Sequence, residues 1–155
     1  MVHSKKIILQ QAVDYAKIPI IISLFLTPVR YCLELIGLPE YAIFLIGLLW
    51  LTLGFAMYLG MKVYKEKKAI GILLLSLVVF SPFSRIPVAI LWWVDTKWEI
   101  GTHYGLYYNS FEQALLNHVV YGSLVQIIPA FILGIITITI MRQKNELKIK
   151  TKKNG

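Results

Sequence analysis

Apolar residues in this chain gather into four near-continuous blocks, at residues 18–38, 41–64, 69–94 and 114–141. At about 1.5 Å of rise per residue, a helix of about 20 residues crosses a hydrocarbon core of about 30 Å, and each block reaches that length. Helices that pack on a soluble core are apolar along one stripe only, whereas these blocks are apolar all round. The chain as a whole is 57% hydrophobic and 15% charged, beyond the roughly 45–50% apolar share of a soluble domain. The reading is an all-α integral membrane protein: one domain over residues 1–155, an antiparallel bundle of four transmembrane helices.

The segments between the blocks carry the punctuation. Residues 1–17 alternate apolar and polar positions at helical spacing from Ile7, which suits a cytoplasmic or interfacial helix or an extension of the first span. Gly37 and Pro39 stop the first span, and Lys65 to Lys68 form a basic turn before the third. Pro82 and Pro87 each remove a backbone donor, so the third helix is expected to bend around Arg85. Residues 95–113 combine Trp98, Tyr104, Tyr107 and Tyr108 with glycines, the composition of a loop at a membrane interface. Trp92, Trp93 and Trp98 read as an aromatic belt at that level. Gly47, Gly54 and Gly60 on the second span permit close helix contacts.

Basic residues set the orientation. Lys5, Lys6 and Lys17, then Lys62, Lys65, Lys67 and Lys68, then Arg142 through Lys153 all fall on one side of a four-span topology, leaving Arg30, Arg85 and Lys97 on the other. The positive-inside bias makes the lysine-rich side cytoplasmic, with both termini inside and residues 142–155 a basic cytoplasmic tail. The net charge of +8 is then a topological signal, and nucleic acid is not an expected partner. Membrane lipids are the expected partners, with a second copy of the chain or another membrane protein as protein partners. A bacterial inner membrane suits the composition. Lys5 and Lys6 lead into a mixed stretch with Asp14 and Lys17, so no cleavable signal is expected. Cys32 is the only cysteine, which excludes an internal disulfide and a multi-cysteine metal site. No cofactor motif stands out.

Polar residues inside the blocks concentrate in one half of the depth. Arg30 and Glu34 lie late in the first span, Arg85 lies about 24 Å from the inner end of the third, and Asn117, His118, Ser123 and Gln126 lie early in the fourth. Charges at membrane depth cost about 2.5 kcal/mol or more on insertion scales, so they face protein or water and take a partner. Arg30 and Glu34, four residues apart, can pair on one helix face or snorkel. Two converging arginines make a bidentate receptor for a phosphate or carboxylate. The candidate ligand-binding set is therefore Arg30, Glu34, Arg85, Asn117, His118 and Gln126.

Asp95, Glu99 and His103 recur every four residues and on a continuous helix would share a face, as an acid–base or metal site requires, but Gly101 and Gly105 argue against such a helix. No metal site is expected. His118, His103, Asp95 and Glu99 are the candidate catalytic residues. Ser81, Ser84, Ser110 and Ser123 show no nucleophile elbow. The expected function is binding of an anionic lipid headgroup or a small carboxylate or phosphate compound in an outward-facing pocket. Alternatives are a membrane enzyme acting on lipid, a non-catalytic assembly or immunity-type partner of another membrane protein, and a small transporter or channel subunit.

Overall fold

The computed structural model describes residues 2–153, with side-chain surroundings for residues 8–39 and 41–151. The side chains of Lys5, Lys6, Lys152 and Lys153, and the last two residues of the basic tail, lie outside the described residues. All regular structure among the described residues is helical. Four segments are long and apolar enough to cross a membrane: Ile8–Leu35, Tyr41–Val63, Ala69–Trp98 and Phe111–Thr151.

Helix α1 (Val2–Leu35) is continuous from the amphipathic start of the chain through the first apolar block. It ends because Gly37 adopts φ +85°, while its N–H donates to the Glu34 carbonyl at 2.9 Å and the Leu38 N–H to Leu33 at 3.0 Å. This pair of bonds is a Schellman cap, which glycine alone enters without a Cβ penalty. Pro39 then opens α2 (Glu40–Leu45). The second apolar block is not one uninterrupted helix: Ile46 and Gly47 break it, and α3 (Leu48–Val63) starts afresh from an extended Gly47. Helix α4 (Ala69–Trp98) keeps Pro82 and Pro87 inside it and ends at Glu99, which takes a left-handed φ of 49°. A 3-10 turn (His103–Gly105) follows. Helix α5 (Phe111–Leu115), capped by the Ser110 side chain, runs through a π turn at Leu116–Tyr121 into α6 (Gly122–Lys153).

Helix α4 is the hub, touching α1, α3 and α6. Tyr31 of α1 reaches Asp95 at the end of α4, so these two helices run in parallel. At the opposite end of the bundle, Arg142 of α6 donates to the Tyr64 and Glu66 carbonyls just after α3, satisfying acceptors that a helix C-terminus leaves free. The α3–α6 crossing is close because it is built on glycine. A Cβ on Gly60 would meet the Gly134 carbonyl at 3.0 Å, and Gly134 in turn lets α6 approach α4, where its Cβ would lie 2.6 Å from Leu73 Cδ2. Around this crossing Phe55, Leu59, Leu73, Leu77 and Phe80 form the apolar core. Gly54, by contrast, faces open space. A smaller cluster of Tyr31, Leu48, Val88 and Tyr104 closes the other end, beside the polar residues.

Candidate anion-binding site

Asp95 sits at the end of α4, only 2% exposed. One of its carboxylate oxygens accepts from the Thr102 N–H at 3.0 Å and the Thr102 hydroxyl at 2.8 Å, with the Tyr31 phenol at 3.4 Å. Gly105 lies so close to its second oxygen that a Cβ there would collide with the carboxylate. These contacts fold the 99–110 loop back over the bundle end, where Thr102 Oγ1 also accepts from the Tyr104 N–H. The left-handed Glu99 reverses the chain, so Asp95, Glu99 and His103 do not share a helical face, and Glu99 points to the exterior. Among the described residues, no three His, Cys, Asp or Glu side chains converge as metal ligands would.

The returning loop also reaches α1. Glu34 accepts from both the backbone N–H of His103, at 2.5 Å, and its ring Nδ1. Glu34 thus pairs with His103 rather than with Arg30, because the loop delivers two donors to it at once. The imidazole stacks at 4.2 Å on Tyr104, whose ring meets Tyr31 edge-on.

Between these elements lies a cavity of about 210 Å³, walled by Arg30 from α1, Arg85 and Val88 from α4, His103 and Tyr104 from the loop, His118 from the π turn, and Phe44, Gly47, Leu48 and Leu49 around the break before α3. A second hollow of about 160 Å³ adjoins it, sharing Val88, His103, Tyr104 and His118 and reaching Tyr107 and Tyr108. Among the described residues the two ion pairs are Lys17–Asp14 and His103–Glu34, and neither includes an arginine. Arg30 Nε, Arg85 Nε and the Tyr104 hydroxyl are buried without a hydrogen-bond partner in the protein. Arg85 passes so close across Gly122 that a Cβ there would stand 3.3 Å from the guanidinium carbon. Burial pushes the Tyr104 phenol above its ordinary pKa, so it stays a neutral donor.

Two contributors had no role in the sequence reading. The break at Gly47 aims the N-terminus of α3 at the cavity, with no capping side chain on its first-turn N–H groups and the positive end of the helix dipole facing inward. The available signal was a lone glycine in an apolar run. The π turn brings His118 onto the cavity wall, where Tyr108 meets it edge-on at 5.2 Å; such turns are frequent at functional sites.

Arg30, Arg85, His103 and His118 therefore converge, with Glu34 directly behind His103. Asn117 instead donates to the Gln113 carbonyl at 2.8 Å and does not line the cavity. Gln126 is 0% exposed and lies deeper, its amide N and O both unpartnered. The arrangement is a small, positively charged basin rich in donors, roofed by aromatic rings. Compared with known proteins, the chain matches no protein-family model, no curated protein and no solved structure.

Proposed function

We propose that this is a multi-pass membrane protein that binds an anionic group, a phosphate or a carboxylate, in the cavity between Arg30 and Arg85. The observation that carries the reading is the convergence of two guanidinium groups lacking carboxylate partners with the uncapped N-terminus of α3. Guanidinium forks bind such anions bidentately, and helix N-termini broken within a membrane serve anionic ligands in the same manner. Tyr104, His118 and His103 would add neutral or cationic donors. In this reading the lysine-rich ends are cytoplasmic, Pro82 and Pro87 bend α4 beside the cavity, and the aromatic loop lies at the outer interface of a bacterial inner membrane.

The test is calorimetric titration of the protein in nanodiscs with inorganic phosphate and with acetate. Saturable binding of at least one anion, lost in the Arg30→Gln/Arg85→Gln double variant, supports the proposal. Absence of binding, or unchanged binding in the double variant, removes it.

A second reading, an enzyme acting on the bound group, is favoured by the Glu34–His103 pair. A carboxylate on Nδ1 holds the imidazole in one orientation and leaves Nε2 for proton transfer. Hydrolysis of a phosphomonoester that disappears in His103→Gln while phosphate binding persists would favour catalysis. Binding without turnover leaves the receptor reading in place.

A further inference from the structure

A hollow larger than the arginine basin lies apart from it. It is an apolar groove of about 450 Å³ between α1 and α3, lined by Tyr15, Ile18 and Ile22 on one side and Trp50, Phe55 and Tyr58 on the other. Gly54 lies in its wall and has open space where a side chain would project. The groove exists because α1 packs chiefly on α4, and α3 chiefly on α6, leaving only a thin contact between α1 and α3.

The linings of groove and basin follow one another along the second apolar segment. Phe44, Gly47, Leu48 and Leu49 wall the basin, and Trp50, Leu51, Gly54, Phe55 and Tyr58 wall the groove. The Phe44 and Trp50 rings, one from each lining, meet edge-on at 6.5 Å. On α1 the basin ends at Arg30 and the groove begins at Ile22, eight residues or about 12 Å away. The groove's far end at Asp14 is about 24 Å from Arg30, further than the roughly 15 Å depth of one leaflet's hydrocarbon. A charged basin leading into an apolar trough has the polarity of an amphiphile.

Building on the anion-pocket reading above, we propose that basin and groove form one site for a lipid phosphate: its phosphate lies between Arg30 and Arg85, and its hydrocarbon chain runs past Phe44 and Trp50 along the α1–α3 groove beyond the bilayer midplane. The thin α1–α3 contact lets the lipid slide in sideways from the bilayer. Moving a chain from lipid into an apolar groove gains little hydrophobic energy, since both surroundings are apolar. The phosphate therefore supplies affinity, and the groove selects chain length and shape.

The test uses geranylgeranyl monophosphate carrying a diazirine at its chain end, with the matching neutral alcohol as control, both in nanodiscs containing the full chain. Light should cross-link the phosphate probe to peptides containing Ile18, Ile22, Trp50 or Tyr58, and unlabelled lipid phosphate should compete. Labelling should fall several-fold in Arg85→Gln and in Gly54→Leu, which fills the groove from a position where a side chain meets nothing. Gly71→Leu, at an equally open glycine on α4, should label as the parent does. Inorganic phosphate titration should be unchanged in Gly54→Leu. Equal labelling by the neutral alcohol, or insensitivity to Gly54→Leu, overturns the shared site while leaving the anion pocket intact if phosphate still titrates in an Arg85-dependent manner. Phosphate titration that is itself indifferent to Arg85→Gln fails the underlying pocket reading instead. Cross-links joining two protomers through Trp50 or Tyr58 would assign the groove to a second copy and likewise overturn the proposal.

Discussion

Replacing Arg85 by glutamine should move two measurements in opposite directions. In the ligand-free protein, Arg85 is a half-buried cation within a helix long and apolar enough to cross a membrane, with an unpartnered Nε and no carboxylate across from it among the described residues. An intramembrane arginine costs about 2.5 kcal/mol or more on insertion scales. Glutamine removes the charge and keeps most of the stem, so the empty protein should gain on the order of 1–2 kcal/mol of stability. With phosphate bound, the same residue would supply charge-assisted hydrogen bonds worth about 1.5–3 kcal/mol each. Losing a bidentate pair, less what glutamine recovers, should weaken phosphate binding by about 3 kcal/mol, roughly a hundredfold in Kd. Thermal unfolding in detergent without phosphate reads the first effect, and calorimetry in nanodiscs reads the second. A variant that is less stable when empty yet binds phosphate within about twofold of the parent would mean that Arg85 is a packing element, and the reasoning would fail.

Three further outcomes follow from the packing. Gly105→Ala drives a methyl into the Asp95 carboxylate and should detach the 99–110 loop, costing about 2–4 kcal/mol through lost charge-assisted bonds; limited proteolysis of the loop checks it. Gly134→Val overfills the α4–α6 contact at Leu73 and should destabilise by about 1–3 kcal/mol, with Leu73→Ala restoring part of the loss in a double-mutant cycle. Because burial raises the Tyr104 phenol above its ordinary value of 10, the folded state holds this proton where the unfolded state releases it. The stability linked to Tyr104 is thus intact below that ordinary value and declines as pH rises through the folded value. Comparing unfolding at about pH 9 and about pH 11 should show a smaller alkaline loss for Tyr104→Phe than for the parent.

Four apolar helices were legible from the chain because insertion depends on local hydropathy summed over about 20 residues. The end of α1 was equally legible, since Gly37 and Pro39 act within one turn of where they stand. Glycine's role in packing was legible in type but not in place. Gly60 makes the close crossing while Gly54 opens a groove, and only the neighbouring helix distinguishes them. Asp95, Glu99 and His103 would share a face only on a continuous helix, which Gly101 and Gly105 argued against, and the left-handed Glu99 turns the loop back. Asp95 becomes the staple of that loop, and His103 goes to Glu34.

By itself, the sequence determined the number and extent of the apolar segments, the concentration of polar residues toward one end of them, and the lysine asymmetry, all properties that add up along the chain. Tertiary structure alone decided which polar side chains meet. Arg30 and Arg85 stand 55 residues apart in sequence on different helices, and the break at Gly47 and the π turn at His118 turn backbone toward the same hollow. The physical reason is range. Hydropathy and capping act over a few residues, whereas convergence depends on which helices pack, and here that follows from glycines and side-chain shapes far apart in the sequence.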